Sequence, residues 1–351
     1  MATDRLAIVI FNLGGPDGPA AVRPFLFNLF NDPYIIDLPA PLRWLLAQAI
    51  SMTRAPKSRR YYAALGGGSP LLAETRAQAV ALEAAAASLA DTVKVFTFMR
   101  YWHPFARETV AEVKAFQPTR VVMLPLYPQF STSTTATSLA VFAREARRQG
   151  LDASVDTICC YPTDDGFVGT VVDKLRAACV NRNDTPRIVF CAHGLPLKTI
   201  AAGDPYQWQV ESTVAAVVAR AAIPGPDWVL SYQSRVGPLE WLGPSVEAEI
   251  QRAGRDRKPV VVVPIAFVSE HVETLFELDV TMRDLARESG VPRFERLPTA
   301  RTDSAFMAGL VELIRCARGR GLCSGRASSG AGGRLCPGTY SKCPVGAADH
   351  I

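Results

Sequence analysis

The sequence predicts an α/β fold in which buried parallel strands alternate with helices, the arrangement of a doubly wound sheet. Short runs that are apolar on both faces are typical of strands inside a parallel sheet. They span residues 6–11, 93–99, 121–126, 187–191, 229–232 and 260–267. Segments with apolar residues at helical spacing or rich in alanine lie between them, at residues 74–89, 105–116, 209–222 and 272–288. This alternation favours doubly wound α/β structure.

Both halves of the chain open with a strand that ends in a glycine–proline turn, Asn12-Leu-Gly-Gly-Pro16 and Ala192-His-Gly-Leu-Pro196. We therefore expect two similar lobes, residues 1–165 and 166–315, with a ligand in the cleft beside the carboxyl ends of the strands. Residues 316–351 are rich in glycine, serine and arginine, which predicts a tail rather than a further domain.

Composition excludes several classes of protein. The formal charge of the 351 residues is +5. The tail accounts for most of it, with five basic residues against one acidic residue, and the near-neutral body shows no basic patch for nucleic acid. No apolar run reaches the length of about 18 residues that spans a bilayer, and no signal peptide is recognisable, so a cytoplasmic location is expected. In that compartment the eight cysteines are not expected to form disulfides.

One histidine and several acids follow predicted strands. His193 follows the run at 187–191, and Glu270-His-Val-Glu-Thr-Leu-Phe-Glu277 follows the run at 260–267. In a helix, Glu273 and Glu277 share a face, where two carboxylates repel each other unless a cation or a shared proton lies between them. The alternative, a solvated helix face, disagrees with the core-like residues around them. The pattern predicts proton transfer or metal handling.

The remaining motifs describe the ligand. Neither Gly14-Gly15-Pro16 nor Gly66-Gly-Gly-Ser-Pro70 has the spacing of a dinucleotide or P-loop site. Met99-Arg-Tyr-Trp-His-Pro104 and Tyr232-Gln-Ser-Arg-Val-Gly-Pro-Leu-Glu-Trp-Leu242 place aromatic residues beside arginines. Aromatic faces suit a flat apolar ligand and arginines suit carboxylates, so the predicted ligand is large, planar and acidic. The hydroxyl-rich Ser131-Thr-Ser-Thr-Thr-Ala-Thr-Ser138 either caps a helix or holds an anion.

Together these residues resemble the ferrochelatase family, whose members insert Fe(II) into a porphyrin. The motifs occur in the family's order through nearly the whole chain: Asn12–Pro16, Gly66–Pro70, Arg100–Pro104, Cys191–Pro196, Gly203-Asp-Pro-Tyr206, Tyr232–Pro238 and residues 264–279. The resemblance implies a chelatase-like fold of two Rossmann-like lobes with the porphyrin cleft between them. It also implies the conversion of protoporphyrin IX and ferrous iron into protohaem.

The resemblance implies roles for individual residues. His193 and Glu273 match the family's central pair, which also meets the incoming iron, with Glu277 and His271 behind. The matching porphyrin-pocket positions are Leu13, Tyr62, Ser69, Arg100 and Tyr101, and we add Trp241 from the second aromatic cluster. Because Leu13 stands where some relatives carry methionine, no thioether acts at that position.

Several alternatives remain open at this point. His193 acts either as the base that accepts a pyrrole proton, which we favour, or as a ligand of the iron. A tetrapyrrole carrier without chemistry would need the aromatic and arginine clusters but not inward-facing Glu273 and Glu277. An iron–sulfur redox enzyme is a further alternative, although no flavin or nicotinamide motif supports it. A chelatase for another metal or for coproporphyrin would carry the same motifs.

Residues 38–52 are apolar nearly all round. Such a segment is either a core helix or, as the resemblance implies, a lip over the cleft. An exposed lip could rest on the inner membrane as a peripheral contact.

The tail contains Cys316, Cys323, Cys336 and Cys343, separated by six, twelve and six residues. They have few apolar neighbours in sequence, so burial does not explain them. Four thiolates could hold zinc or a 2Fe-2S cluster, and the resemblance favours the cluster. Some relatives take one ligand from the loop that here reads Tyr127-Pro-Gln-Phe-Ser-Thr-Ser133, which has no cysteine. The remaining ligand is then Cys316, or else Cys159 or Cys160.

Overall fold

The computed structural model describes residues 3–179, 184–223, 227–234, 239–318, 322–324 and 333–345. Of residues 322–324 it describes the backbone. The strands of these residues are β1 (Arg5–Asn12), β2 (Thr92–Met99), β3 (Arg120–Pro125), β4 (Ser154–Cys160), β5 (Arg187–His193), β6 (Asp227–Gln233), β7 (Val260–Pro264), β8 (Phe294–Arg296) and β9 (Leu322–Ser324).

The strands form two parallel sheets with the same internal order. The first sheet has the order β2-β1-β3-β4-β9 and the second has the order β6-β5-β7-β8. In each sheet the chain starts in an inner strand, moves to one edge and then crosses to the other side. This confirms the predicted pair of doubly wound sheets, and it creates a topological switch point beside β1 and another beside β5.

The helices run between the strands, as the periodicity predicts. They are α1 (Val22–Phe30), α2 (Ala40–Ala64), α3 (Leu71–Ala86), α4 (Ala106–Phe116), α5 (Thr137–Gln149), α6 (Asp165–Cys179), α7 (Leu197–Ala201), α8 (Tyr206–Ala221), α9 (Val246–Arg255), α10 (Arg283–Glu288) and α11 (Ser304–Ala317). Two stretches are π-helical, Thr132–Ala136 and Glu273–Met282. The predicted single helix at 272–288 is therefore a π-helix that continues into α10, and π-helical turns are frequent at functional sites.

The boundaries of some strands differ from the prediction. Strand β7 ends at Pro264, three residues before the apolar run does. The apolar pattern did not predict strand β4, because Asp156 and Thr157 interrupt its apolar residues. In the structure, Oδ2 of Asp156 lies 2.8 Å from Nη1 of Arg120 in β3. This ion pair lets a charged residue occupy a strand next to the core, since a paired carboxylate is less costly to bury than a free one.

The largest apolar cluster joins both sheets. It includes Ile8 and Leu124 from the first sheet, Phe190 and Val263 from the second, and Leu310 from α11. Helix α11 packs against α6 and also against α3 and β4, so the end of the chain returns to the first sheet. The two sheets therefore share one buried interior.

Helix α2 begins the segment for which both a core helix and a lip were considered. Its first half exposes large apolar side chains: Leu42 is 57% exposed, Trp44 48%, Leu45 60% and Met52 58%. The core-helix interpretation of residues 38–52 is therefore wrong for these side chains. Within the described part of the chain, no helix is both long and apolar enough to cross a membrane.

Candidate active site

The central feature of the site is a contact between His193 and Glu273. His193 is the last residue of β5, and Glu273 is the first residue of the π-helix that follows β7, the neighbouring strand. Nδ1 of His193 lies 2.9 Å from Oε2 of Glu273, and the side chains are 38% and 22% exposed. The sequence predicted both residues at strand ends, and the β5–β7 pairing brings these ends together.

The two members of this pair stabilise each other's charge. Burial disfavours the charged form of His193, but the negative charge and the hydrogen bond of Glu273 outweigh burial and raise the pKa of His193 above its ordinary value. Burial would raise the pKa of Glu273, yet His193, His271 and Gln233 together lower it to about 2. Glu273 is therefore a carboxylate across the physiological pH range.

Glu277 lies one turn further along the π-helix in a different environment. Its Oε2 accepts hydrogen bonds from Ser234 Oγ at 2.8 Å and from Gln233 Nε2 at 3.2 Å. Burial and the negative charge of Glu273 nevertheless raise the pKa of Glu277 to about 7. Glu277 can thus gain and lose a proton near neutral pH, which is the property required of a group in a proton path.

His271 lies behind the pair. Its Nε2 is 3.8 Å from Oε2 of Glu273, its ring is buried and lies 4.6 Å from the ring of Phe267, and burial lowers its pKa. On the opposite side, the hydroxyl of Tyr206 donates to the carbonyl oxygen of His193 at 3.0 Å. The strand end that carries His193 is therefore fixed by backbone and side-chain contacts alike.

Side chains from the first half of the chain pack beside the start of the π-helix that carries Glu273. Leu13, Tyr62 and Tyr101 share an apolar cluster with Val272, the residue before Glu273. The negative charge of Glu273 adds to burial in raising the pKa of Tyr62, which places this side chain near the acid. The ring of Tyr61 in α2 stacks on Phe276 of the π-helix at 4.5 Å. The structure thus brings these predicted pocket residues to the central pair.

Ser69 belongs to the loop next to the first strand turn. Its backbone nitrogen donates to the carbonyl oxygen of Pro16 at 2.7 Å. A Cβ atom on Gly15 would lie only 2.5 Å from Oγ of Ser69, so that glycine permits the close approach of the two loops.

Trp241 lies beside the end of β5 that carries His193. It pairs with Pro196 in a β-bridge, and a Cβ atom on Gly194 would lie 3.5 Å from its Cε3. Its Nε1 is buried without a hydrogen-bond partner among the described residues, as are Nε1 of Trp102 and the hydroxyl of Tyr127. Buried polar atoms normally have partners, so these aromatic side chains are candidates to meet a ligand.

Arg100 meets a carboxylate that the sequence analysis did not single out. Its Nη2 lies 2.6 Å from Oδ2 of Asp32, whose side chain is fully buried. Gln233 and Ser234, which contact Glu277, were not among the predicted site residues. These two follow Tyr232 inside a motif quoted above, so their position at a strand end could have indicated them. Asp32 follows a helix and gives no comparable signal.

The cysteines gather around Gln209 in α8. Its Nε2 lies 3.0 Å from Sγ of Cys336 and 3.4 Å from Sγ of Cys160. Cys159 and Cys160 have sulfur atoms 3.5 Å apart, and a hydrogen bond with Cys336 lowers the pKa of Cys343 to about 6.

The other tail cysteines are placed differently. Cys316 packs in the largest apolar cluster with Sγ 3.7 Å from Oε1 of Glu312, and the side chain of Cys323 lies outside the described residues. Cys316, Cys336 and Cys343 are all buried, so the expectation that the tail thiols lack a buried environment is wrong for these three. Among the side chains that the structure describes, no group of three or more His, Cys, Asp or Glu is placed to hold a metal ion.

The fold and the site define an enzyme of the chelatase class: two doubly wound sheets with the same internal order, and a histidine–carboxylate pair at the strand ends. The chain belongs to the ferrochelatase family, whose sequence profile matches residues 5–317.

Comparison with individual relatives supports this family assignment. The chain is 50% identical over 346 residues to a ferrochelatase of Caulobacter vibrioides, covering 97% of this chain and 98% of the relative. It is 49% identical to that of Phenylobacterium zucineum over 344 residues, covering 97% of each chain. Among solved structures, SirB from Bacillus subtilis with Fe3+ has a TM-score of 0.53 at 11% identity, covering 89% of this chain and 94% of that one. The last similarity concerns the fold alone.

Proposed function

We propose that this protein inserts Fe(II) into protoporphyrin IX in the cleft, releasing two pyrrole protons and forming protohaem in the last step of haem synthesis. The observation that carries the proposal is the 2.9 Å contact between His193 and Glu273, next to an apolar cluster in which Tyr62 and Tyr101 pack with Val272. A carrier without chemistry would not need a carboxylate held ionised beside a histidine and a second carboxyl group that titrates near pH 7. The lobes are residues 1–165 and 166–315, with residues 316–351 as a tail.

His193 is the base that accepts the pyrrole protons. When Nδ1 donates its hydrogen to Glu273, Nε2 carries the lone pair and can accept a proton. The imidazolium that results is stabilised by Glu273, in the way that a carboxylate supports a catalytic histidine elsewhere. This tautomer suits a base and an iron ligand equally, and the raised pKa of His193 favours the base because it favours uptake of a proton.

The protons leave through Glu277. Gln233 touches both acids, and Ser234 holds Glu277 in place. With a pKa of about 7, Glu277 can take up a proton and release it to water near neutral pH. A flat porphyrin presents its nitrogen lone pairs poorly, so contacts from aromatic side chains would hold it bent.

The direct test is an anaerobic assay with purified protein, Fe(II) and protoporphyrin, followed by the loss of porphyrin fluorescence. Turnover supports the proposal, and porphyrin binding without turnover would identify a carrier. Parallel reactions with coproporphyrin, and with cobalt or nickel, decide which ring and which metal are used.

The exposed apolar face of α2 is a peripheral membrane contact, on the inner membrane where the porphyrin partitions. Leu42, Trp44 and Leu45 are each about half exposed on a helix whose Tyr61 reaches the cleft. An exposed apolar face beside a cleft for an apolar ligand suits an interfacial helix.

We also propose that the tail cysteines bind a 2Fe-2S cluster with a structural role, completing with Cys323, whose side chain lies outside the described residues, a ligand set that the described side chains alone do not form. The support is the meeting of Cys336 and Cys343 with Cys160 and Cys159 near Gln209, since thiolates are the ligands of such a cluster. Cys323 belongs to β9, whose backbone pairs it with Ile158, next to Cys159. These neighbours favour Cys160 or Cys159 over Cys316 as the remaining ligand, beside Cys323, Cys336 and Cys343. Zinc is the alternative occupant, and metal analysis distinguishes the two.

A further inference from the structure

Asp32 is a buried carboxylate that belongs to none of the motifs described above. It follows α1, its side chain is fully buried, and its Oδ2 is shared by three side chains from other parts of the chain. The distances are 2.6 Å to Nη2 of Arg100, 2.7 Å to the hydroxyl of Tyr101 and 2.6 Å to Oγ1 of Thr137. Its other oxygen accepts from the backbone nitrogen of Tyr34 at 2.9 Å.

These contacts fix Arg100 in one orientation. Nε of Arg100 donates to Oγ1 of Thr137 at 2.8 Å, and Thr137 in turn donates to Asp32, so that a closed ring of hydrogen bonds forms. The guanidinium carbon lies 4.6 Å from the centre of the Tyr101 ring. Charge-assisted hydrogen bonds of this kind are short and directional, and the planar guanidinium cannot rotate without breaking several at once.

The backbone of the same two residues is held independently. The backbone nitrogens of Arg100 and Tyr101 donate to the carbonyl oxygens of Asn12 and Leu13, each at 2.9 Å, and Asn28 Nδ2 donates to the carbonyl oxygen of Tyr101 at 3.1 Å. Loss of the Asp32 carboxylate would therefore leave the chain path at Arg100 and Tyr101 in place, while the side chains of Arg100, Tyr101 and Thr137 would each lose one partner.

The ion pair also changes what Arg100 can do. Nε and Nη2 are already used by Thr137 and Asp32, and the buried carboxylate neutralises the charge of the guanidinium. An arginine whose charge is neutralised by a buried carboxylate, and whose Nε and Nη2 already donate hydrogen bonds, is poorly suited to attract a carboxylate from solution. Its side chain, which is 16% exposed, instead lies against the fully buried Tyr101 ring, and that ring packs with Leu13 and Tyr62.

We propose that Asp32 is a positioning residue for the porphyrin: it fixes the partly exposed Arg100 in one orientation against the fully buried Tyr101 ring and acts on the reaction only through Arg100. The inference rests on the proposed function, because it assumes that the ligand beside Arg100 is the porphyrin. Arg100 then serves to shape the cleft and does not anchor a carboxylate of the ring.

The test is a double-mutant cycle with Asp32→Asn and Arg100→Ala, measured by protoporphyrin binding and by steady-state rates with Fe(II). Asp32→Asn is expected to raise both the Kd and the KM for protoporphyrin by about tenfold or more, with kcat changed less than about threefold. In the Arg100→Ala background, which keeps Leu13 and Tyr62, the same change is expected to have less than about a threefold effect. The exposed Asp165→Asn is the matched control and should behave as the wild type.

Two results would overturn the inference: wild-type affinity in Asp32→Asn, or the same factor of loss in both backgrounds, which would make Asp32 a structural residue only. If Asp32→Asn does not fold, Thr137→Val removes the hydroxyl that bridges Arg100 and Asp32, and an unchanged KM there contradicts the inference equally. Turnover by the wild-type protein distinguishes a failure of this inference from a failure of the proposed function. Absence of wild-type turnover refutes the proposed function, whereas full turnover with an unaffected Asp32→Asn refutes this inference alone.

Discussion

Glu273 and Glu277 share the side-chain amide of Gln233, whose Nε2 lies 3.4 Å from Oε2 of the first and 3.2 Å from Oε2 of the second. Two carboxyl groups joined through one neutral donor would be expected to titrate alike. They do not, because His193 and His271 hold the pKa of Glu273 at about 2 while burial and Glu273 itself raise that of Glu277 to about 7. Such a separation marks which acid stays charged and which one carries protons.

Replacement of His193 by alanine should leave protoporphyrin binding near normal and lower the rate of iron insertion by about 10²- to 10⁴-fold, the usual effect of losing an acid–base group. Anaerobic fluorescence quenching measures both. His103→Ala is the matched control, because His103 is 54% exposed and pairs with Glu108. A His193→Ala protein that keeps more than about a tenth of the rate would show that His193 is not the base.

The acidic limb of the kcat profile should depend on Glu277. Below pH 7 Glu277 is protonated and cannot accept a proton, and its charge at higher pH helps to raise the pKa of His193. In Glu277→Gln both effects disappear, so the midpoint of the acidic limb should move to lower pH while the maximal rate falls. The exposed Glu288→Gln serves as the control. A midpoint that stays in place would remove Glu277 from the proton path.

The apolar face of α2 predicts binding to lipid vesicles. Wild-type protein should float with liposomes, and Trp44→Glu should float less, because a carboxylate on an interfacial helix disfavours burial in the headgroup region. Trp228→Glu changes a tryptophan of similar exposure, 44%, on the edge strand β6 and should float as the wild type does. Equal flotation of all three proteins, or none, would argue against a lip at α2.

The cysteine site predicts coloured protein. Purification without oxygen should give brown protein with visible charge-transfer absorption, and Cys336→Ser or Cys343→Ser should lose both colour and thermal stability. The remaining ligand is identified by comparing the colour and thermal stability of three further variants, Cys160→Ser, Cys159→Ser and Cys316→Ser. A fourth variant, Cys323→Ser, tests the residue in β9. Colourless protein with stoichiometric zinc would show that the cysteines bind zinc and not an iron–sulfur cluster. Colourless, metal-free and fully active protein would exclude both.

Much of the fold follows from local patterns in the sequence. Apolar runs identified most of the strands, and the turns after them identified His193 and Glu273, because residues at the carboxyl ends of parallel strands reach the same edge. Strands β4, β8 and β9 escaped detection. The ion pair that lets Asp156 occupy β4 involves Arg120, which is distant in sequence, so no local pattern could reveal it.

The sequence by itself therefore determined the class of fold and the two residues at the centre of the site, since burial and strand ends leave a periodic signature along the chain. Only the tertiary structure decided that Asp32 holds Arg100, that Gln209 contacts Cys160 and Cys336, and that α2 turns its apolar face outward. The physical reason is that these contacts join residues far apart in sequence. Which polar groups pair, and which apolar face stays uncovered, depends on how the elements pack and not on the residues of any single element.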